Sequence, residues 1–251
     1  MFNASIKAIF FDLSGVLYDG SQHIDGAVDT VAEARRRGLT LRFVTNTASK
    51  GAAKILDDLY RMGFDIPAGE LYTAPIAARD YVKAKGLRPY CLIHRALIND
   101  FAALDQSNPN CVILGDARDD LHYQSMNRAF GLCMEGAPLI AIGMNKYFKD
   151  DGGLKLDAGA FAQAIGWAAG IEPIVMGKPN ADFFQQVVQS TSHSASECLM
   201  IGDDVCADVQ GAIDAGLCAL LVRTGKFRAG DEQTLPESAG IIDSVADVFS
   251  Y

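Results

Sequence analysis

The sequence predicts an α/β protein: a parallel-sheet core assembled from the two ends of the chain, with a second α/β unit inserted between them. Three observations predict it. Short apolar runs alternate with amphipathic stretches from end to end, the grammar of right-handed βαβ units. The runs near both ends finish in polar or acidic residues, as strands do at the ligand-binding edge of an open sheet. The segment from about Pro75 to about Pro173 carries strands and helices of its own.

Each element follows from local pattern. Ala8 to Phe11, after Lys7, is an unbroken apolar run, hence a strand over 7–11 covered on both faces. A helix near 26–37 ends at Gly38, a strand spans 40–44, and a helix near 49–62 ends at Gly63. Tyr18-Asp19-Gly20 reads as a tight turn. Within the insertion, strands near 90–93, 111–114 and 138–142 alternate with helices near 76–85, 119–131 and 158–169. Ile174-Val175-Met176 is expected to return the chain to the core, ahead of a helix near 180–190. A strand at 198–201, a helix near 205–215 closed by Gly216, a strand at 217–222 and a short helix near 244–249 complete the core. The polar segment Arg228 to Ser238 is expected to be a surface loop. The boundaries so drawn give residues 1–74 and 174–251 to the core and 75–173 to the insertion.

Composition bounds the function. Hydrophobic residues make up 49% of the 251, enough for a real core. The net charge of -9 argues against nucleic acid and anionic membranes, both of which call for a basic face. No apolar run approaches the ~20 residues of a membrane span, and too few residues precede the first strand for a signal peptide. The expectation is a cytoplasmic protein. The six cysteines show no paired spacing and are expected to be small buried hydrophobes in a reducing compartment. The four histidines have no mutual metal-ligand spacing.

Four strand ends carry the chemistry. The first is Asp12-Leu13-Ser14-Gly15-Val16. The second is Val44-Thr45-Asn46, and the third Gly177-Lys178-Pro179. The fourth is Gly202-Asp203-Asp204, with Asp208 one helical turn later. They supply a carboxylate nucleophile, hydroxyl and amide donors for phosphate oxygens, a cation for developing charge, and carboxylates for a hard metal ion. Phosphoryl transfer needs that set.

Four such motifs in this order resemble the haloacid dehalogenase superfamily of phosphatases and phosphotransferases. The placement of the insertion resembles its subfamily IIA, whose α/β cap lies between the second and third motifs. The resemblance implies a Rossmann-like core with a cap domain. It implies that Asp12 attacks phosphorus and forms an aspartyl-phosphate, and that Ser14 offers its backbone carbonyl to Mg²⁺. Thr45 and Asn46 would bind the phosphoryl group. Lys178 would stabilise its charge and that of Asp12. Asp203 would ligate the metal, with Asp204 and Asp208 supporting the metal shell. Mg²⁺ suits few carboxylates because it keeps waters and phosphate oxygens as its other ligands.

Ser14 stands where members of the superfamily usually place a second aspartate, the acid that protonates the leaving group. Serine does this poorly near neutral pH, and general acid catalysis is worth about 10²–10⁴-fold. Substrates whose leaving group needs no such help lose least: pyrophosphate, or a phosphoramidate such as phosphohistidine or phospholysine. Leu87-Arg88-Pro89-Tyr90, Ser107-Asn108-Pro109-Asn110-Cys111 and Arg223-Thr224-Gly225-Lys226-Phe227-Arg228, together with Ser14, resemble the branch of the superfamily that hydrolyses those bonds. Two alternatives stand beside this reading: a small-metabolite phosphatase acting on phosphosugar or nucleotide monoesters, and a non-hydrolytic phosphate-binding or sensing protein. Two cap stretches, Asn145-Lys146-Tyr147 and Leu156-Asp157-Ala158-Gly159, are candidates for choosing the substrate. The partners expected are a small phosphorylated substrate or pyrophosphate, phosphorylated His or Lys, and a second copy of the chain docked through the cap.

Overall fold

The computed structural model describes residues 5–150 and 153–250. They divide into two compact units.

The first unit comprises residues up to 45, 53–72 and 178 onward. Its strands are β1 (Ala8–Asp12), β4 (Thr40–Thr45), β5 (Leu71–Thr73), β12 (Cys198–Gly202), β13 (Cys218–Val222) and β14 (Gly240–Ile242). They form one sheet in the order β14-β13-β12-β1-β4-β5. β1 pairs in parallel with both β4 and β12, and β12, β13 and β14 continue the parallel pairing outward. All five residues of β1 and all five of β12 are buried, because helices cover both faces of a parallel sheet. A small antiparallel pair, β2 (Tyr18–Asp19) with β3 (Gln22–His23), follows β1 and closes the turn read from the sequence. Helices α1 (Ala27–Arg36), α2 (Ala52–Arg61), α7 (Ala181–Gln189) and α8 (Gly211–Asp214) accompany the sheet. α7 buries Phe183, Phe184, Val187 and Val188, the one-sided stripe of a surface helix.

This strand order creates the site. From β1 the chain moves outward through β4 to β5. From β12 it moves the other way, through β13 to β14. The reversal falls between β1 and β12, and ligands of open α/β sheets bind at the carboxyl side of such a switch point. Asp12 ends β1, and Asp203 follows β12.

The second unit comprises residues 46–52 and 73–177. Its parallel sheet has the order β11-β8-β7-β6, built from β6 (Pro89–Leu92), β7 (Cys111–Leu114), β8 (Leu139–Ala141) and β11 (Ile174–Val175). Helices α3 (Ala74–Ala84), α4 (Ile98–Phe101), α5 (Tyr123–Met134) and α6 (Ala158–Ala169) belong to it, as does the hairpin β9 (Tyr147–Asp150) with β10 (Gly153–Leu156). Val112, Leu114, Ala129, Cys133, Leu139 and Ile165 share its core.

Several sequence expectations need correction. Ile174–Val175 pairs with β8 in the second sheet, so the chain re-enters the first unit at Lys178 rather than at residue 174. The helix expected near 119–131 begins at Tyr123, where His122 and Ser125 form a capping box, after a separate 3₁₀ turn at Arg118–Asp120. The helix expected near 205–215 starts as a π-helical turn, Val205–Gln210, and becomes α-helical only from Gly211. The helix near 244–249 is reduced to the 3₁₀ turn Val245–Asp247. Cys206 is exposed and Cys91 and Cys218 are half-buried, against the expectation of six buried cysteines; all six are free thiols. Among the described residues no helix is long and apolar enough to cross a membrane.

Candidate active site

Three buried carboxylates meet at the switch point. Oxygens of Asp12, Asp203 and Asp208 all lie within 4.8 Å of one another. Asp12 is delivered by the end of β1 and Asp203 by the end of β12. Asp208 comes from the π-helical turn and folds back. One of its oxygens, Oδ2, accepts from the backbone N–H groups of Asp203 at 3.2 Å and Asp204 at 3.1 Å. Gly202 makes room for this: a Cβ there would collide with the Asp208 side chain.

Lys178 stands against the cluster. Its buried ammonium donates to Asp12 Oδ1, lies 2.5 Å from Asp208 Oδ1 and reaches the Val44 carbonyl at 3.5 Å. The Lys178-Pro179 peptide that follows is cis. Burial alone would push this ammonium's pKa down, but Asp12 and Asp208 outweigh it and hold the pKa above the usual lysine value. For Asp12 burial is the largest influence. It outweighs the attraction of Lys178 and, with repulsion from Asp208, lifts the carboxyl from its ordinary 3.8 to about 7. Burial likewise raises Asp203.

These charges fit a divalent cation. With all three carboxylates ionised, the one buried ammonium leaves two surplus negative charges, which is costly without a counter-ion. Asp203 also holds a buried oxygen, Oδ1, with no hydrogen-bond partner. Buried polar atoms are nearly always satisfied, and an unsatisfied one points to an ion or water.

A pH dependence follows. The folded protein holds a proton on Asp12 between about pH 4 and 7 that the unfolded chain releases. The resulting stability is fully present below 3.8 and is lost as pH rises through about 7. The metal-free protein should therefore melt at lower temperature at pH 8 than at pH 5.5. A divalent cation should flatten that difference, because it competes with the proton. Melting curves with and without chelator check this; a metal-free melting temperature that rises from pH 5.5 to 8 would contradict it.

The other sequence candidates fall as follows. Thr45 ends β4 and is buried, with Val44 paired to Asp12 across the two strands. Asn46 belongs to the second unit, where its Oδ1 sits beside Gly177; a Cβ on that glycine would come within 2.7 Å of it. Ser14 is exposed, in a bridge to Tyr18. Asp204 is not gathered with the three buried carboxylates. Its Oδ1 caps the π-helical turn through Cys206 N–H at 3.1 Å and Ala207 N–H at 2.9 Å, and its Oδ2 lies 3.4 Å from Lys226 Nζ. Burial pushes Asp204 up, yet these donors hold it below the ordinary carboxylate value. The histidines serve structure: His94 accepts from Ala96 N–H, His122 caps α5, and His193 bonds Thr40.

Two residues at the site were not singled out for a role there. Lys226 donates its backbone N–H to Asp203 Oδ2 at 2.8 Å, and Thr224 donates its hydroxyl to the Gly15 carbonyl at 2.5 Å. A signal existed. Thr224-Gly225-Lys226 is a hydroxyl, a glycine and a cation one residue beyond the apolar run Cys218–Val222, close to the grammar of the other strand ends.

Comparison with known proteins gives the family. Residues 9–106 match the family model described as haloacid dehalogenase-like hydrolase, and 175–248 match a second described as HAD-hydrolase-like. The chain is 42% identical to phospholysine phosphohistidine inorganic pyrophosphate phosphatase of Rattus norvegicus, over 97% of this chain and 93% of that one. It is 38% identical to haloacid dehalogenase-like hydrolase domain-containing protein 2 of Homo sapiens, over 92% and 89% of the two chains. Among solved structures it is similar to a 4-nitrophenylphosphatase from Thermotoga maritima, with TM-score 0.87, 25% identity, and 98% and 97% of the two chains covered. Fold and relatives together define a phosphatase enzyme. The chain belongs to the haloacid dehalogenase-like hydrolase family.

Proposed function

We propose that this chain is a Mg²⁺-dependent phosphatase that cleaves P–O–P or P–N bonds, in pyrophosphate or in phosphohistidine- and phospholysine-type groups, through an aspartyl-phosphate on Asp12. The observation that carries the choice of bond is Ser14, an exposed hydroxyl in place of a carboxylic acid two residues after the nucleophile. The likeness to a relative named for these very substrates points the same way.

In this reading an ionised Asp12 oxygen attacks phosphorus, and the bond to the leaving group breaks with its electron pair going to that group. From pyrophosphate the leaving group is phosphate itself. Water then attacks the acyl-phosphate, releases a second phosphate and restores the Asp12 carboxylate, so one pyrophosphate and one water yield two phosphates. Lys178, held beside Asp12, favours its ionised form against the opposing effect of burial and offsets charge gathered on the phosphoryl group. Thr45 and Asn46 supply donors to the phosphoryl oxygens. Asp12, Asp203 and the Ser14 carbonyl would hold Mg²⁺, supported by Asp208. The ion would supply Lewis-acid neutralisation of phosphoryl charge.

A second reading, ester hydrolysis, draws on the likeness to a 4-nitrophenylphosphatase. Nitrophenolate also departs without a proton, so such a substrate is compatible with Ser14. Alkyl phosphomonoesters separate the two readings. Wild-type enzyme should turn over pyrophosphate and imidodiphosphate faster than sugar phosphates. Ser14→Asp should raise alkyl-ester turnover, within the about 10²–10⁴-fold span of general acid catalysis. Faster wild-type turnover of sugar phosphates, or no gain in Ser14→Asp, defeats the P–O–P and P–N assignment.

Self-association through the inserted unit belongs to the same proposal. Leu156 pairs with Tyr147 across the hairpin, and Leu154 lies two residues along on the same face. All three are more than half exposed. Light scattering should give twice the monomer mass, and Leu154→Lys with Leu156→Lys should halve it. A wild-type monomer at micromolar concentration ends this part of the proposal.

A further inference from the structure

We propose that the Thr224-Gly225-Lys226 turn is a positioning device. It sets Asp203 so that one oxygen, Oδ1, would be available to hold a cation, and it fixes the loop that carries Ser14 and Gly15. This rests on the reading of Asp203 as a metal ligand and goes beyond it, since no role for the turn follows from that reading.

Three segments distant in sequence converge on Asp203. The Lys226 N–H donates to Asp203 Oδ2 at 2.8 Å. The Thr224 hydroxyl donates to the Gly15 carbonyl at 2.5 Å, tying the turn to the loop after β1. Gly15 and Gly225 meet face to face with Asp203 between them. A Cβ on Gly225 would collide with Asp203 Oδ2 and lie 2.5 Å from Gly15 Cα. A Cβ on Gly15 would also collide with Asp203 Oδ2 and lie 2.9 Å from Gly225 Cα. Both glycines have positive φ, 87° and 68°, which side chains rarely adopt. Only a glycine at each position allows this approach.

The consequence lies in the two oxygens of one carboxylate. With Oδ2 held by the turn, Oδ1 is fixed in direction, and Oδ1 is the buried oxygen without a hydrogen-bond partner. The same turn also holds the neighbouring acid, because Lys226 Nζ lies 3.4 Å from Asp204 Oδ2. Asp204 is thereby kept out of the cluster while Asp203 is presented to it. Groups that orient a metal ligand in this way typically govern affinity about 10–100-fold.

The test is direct Mg²⁺ binding to the metal-free full-length protein by titration calorimetry, alongside kcat and KM. Thr224→Val keeps the shape of the side chain and removes its donor. It should weaken Mg²⁺ binding about 10–100-fold, with kcat recovering at saturating Mg²⁺ and Thr224→Ser restoring affinity. Gly225→Ala should weaken binding further, since its Cβ displaces Asp203 Oδ2. Asp203→Asn separates the two layers of the argument. If Asp203→Asn loses Mg²⁺ while Thr224→Val and Gly225→Ala bind as wild type does, the positioning role is wrong and the metal site stands. If Asp203→Asn itself binds Mg²⁺ normally, both are wrong.

Discussion

Asp12→Asn should abolish turnover and, in the absence of metal, stabilise the fold. The loss of activity follows from removing the proposed nucleophile. For residues that form the covalent intermediate such losses run to about 10⁴-fold or more. The gain in stability follows from crowding. Asp12, Asp203 and Asp208 share one buried space with a single ammonium, and burial holds the Asp12 carboxyl at about 7. Above that pH the folded protein must carry an ionised group that it disfavours; asparagine imitates the protonated form and removes the cost. At about 1.4 kcal/mol per pKa unit, a carboxyl lifted from 3.8 to about 7 puts the gain at pH 8 on the order of 4 kcal/mol, shrinking toward zero near pH 4. Mg²⁺ should reverse the ranking, because wild-type protein gains more from the ion than the variant does. Melting curves at pH 8 with chelator and with Mg²⁺, beside a phosphate-release assay, test all three parts. A metal-free variant that melts below wild type at pH 8 would show that the cluster is not strained by its own charge.

What could be read from the sequence depended on how strongly burial marks a residue. β1, β12 and β13 are legible because a strand covered on both faces must be largely apolar, and β4, which carries Arg42, is legible from Leu41, Phe43 and Val44. Their ends were legible because a carboxylate or hydroxyl after such a run has few structural reasons to be there. β5 and β14, three residues each, are too short to carry a period, and the β9–β10 hairpin pairs only with itself. Ile174–Val175 was read as a strand, but an apolar run does not reveal which sheet it joins; that is decided by partners far away in sequence. Asp203, Asp204 and Asp208 were legible as a group and not in their division of labour. Their spacing suggested two supporting acids. The π-helical turn instead sends Asp208 back into the cluster, while Asp204 turns away to cap that same turn. In the sequence the Thr224 turn carries only a resemblance to a family branch. Its contact with Gly15 spans 209 residues, and no local pattern encodes a meeting of two glycines around a third residue.

Lys178→Met should have the opposite effect on stability from Asp12→Asn, and the largest of any single substitution at the site. The side chain is buried and ion-paired to both Asp12 and Asp208. Removing it leaves three buried carboxylates with no cation among them, and breaking a buried ion pair from one side costs about 3–5 kcal/mol. The cost should depend on pH. Without the ammonium the carboxyls take up protons more readily, so the variant approaches wild type in acid and falls furthest behind at pH 8. Turnover should be lost as well, because the charge that favours an ionised Asp12 is gone. Loss of activity alone would not distinguish this from any damaged site; the double variant does. Once Asp12 is asparagine, one of the two ion pairs no longer exists, so Lys178→Met in that background should cost clearly less than in wild type. Coupling of about 0.5–3 kcal/mol is usual for residues in one ion-pair network. Denaturant unfolding of the four proteins at pH 8 in chelator measures it. Strict additivity would mean that the ammonium and the nucleophile are neighbours without being partners, and the placement of Lys178 as the charge that holds Asp12 ready would have to be abandoned.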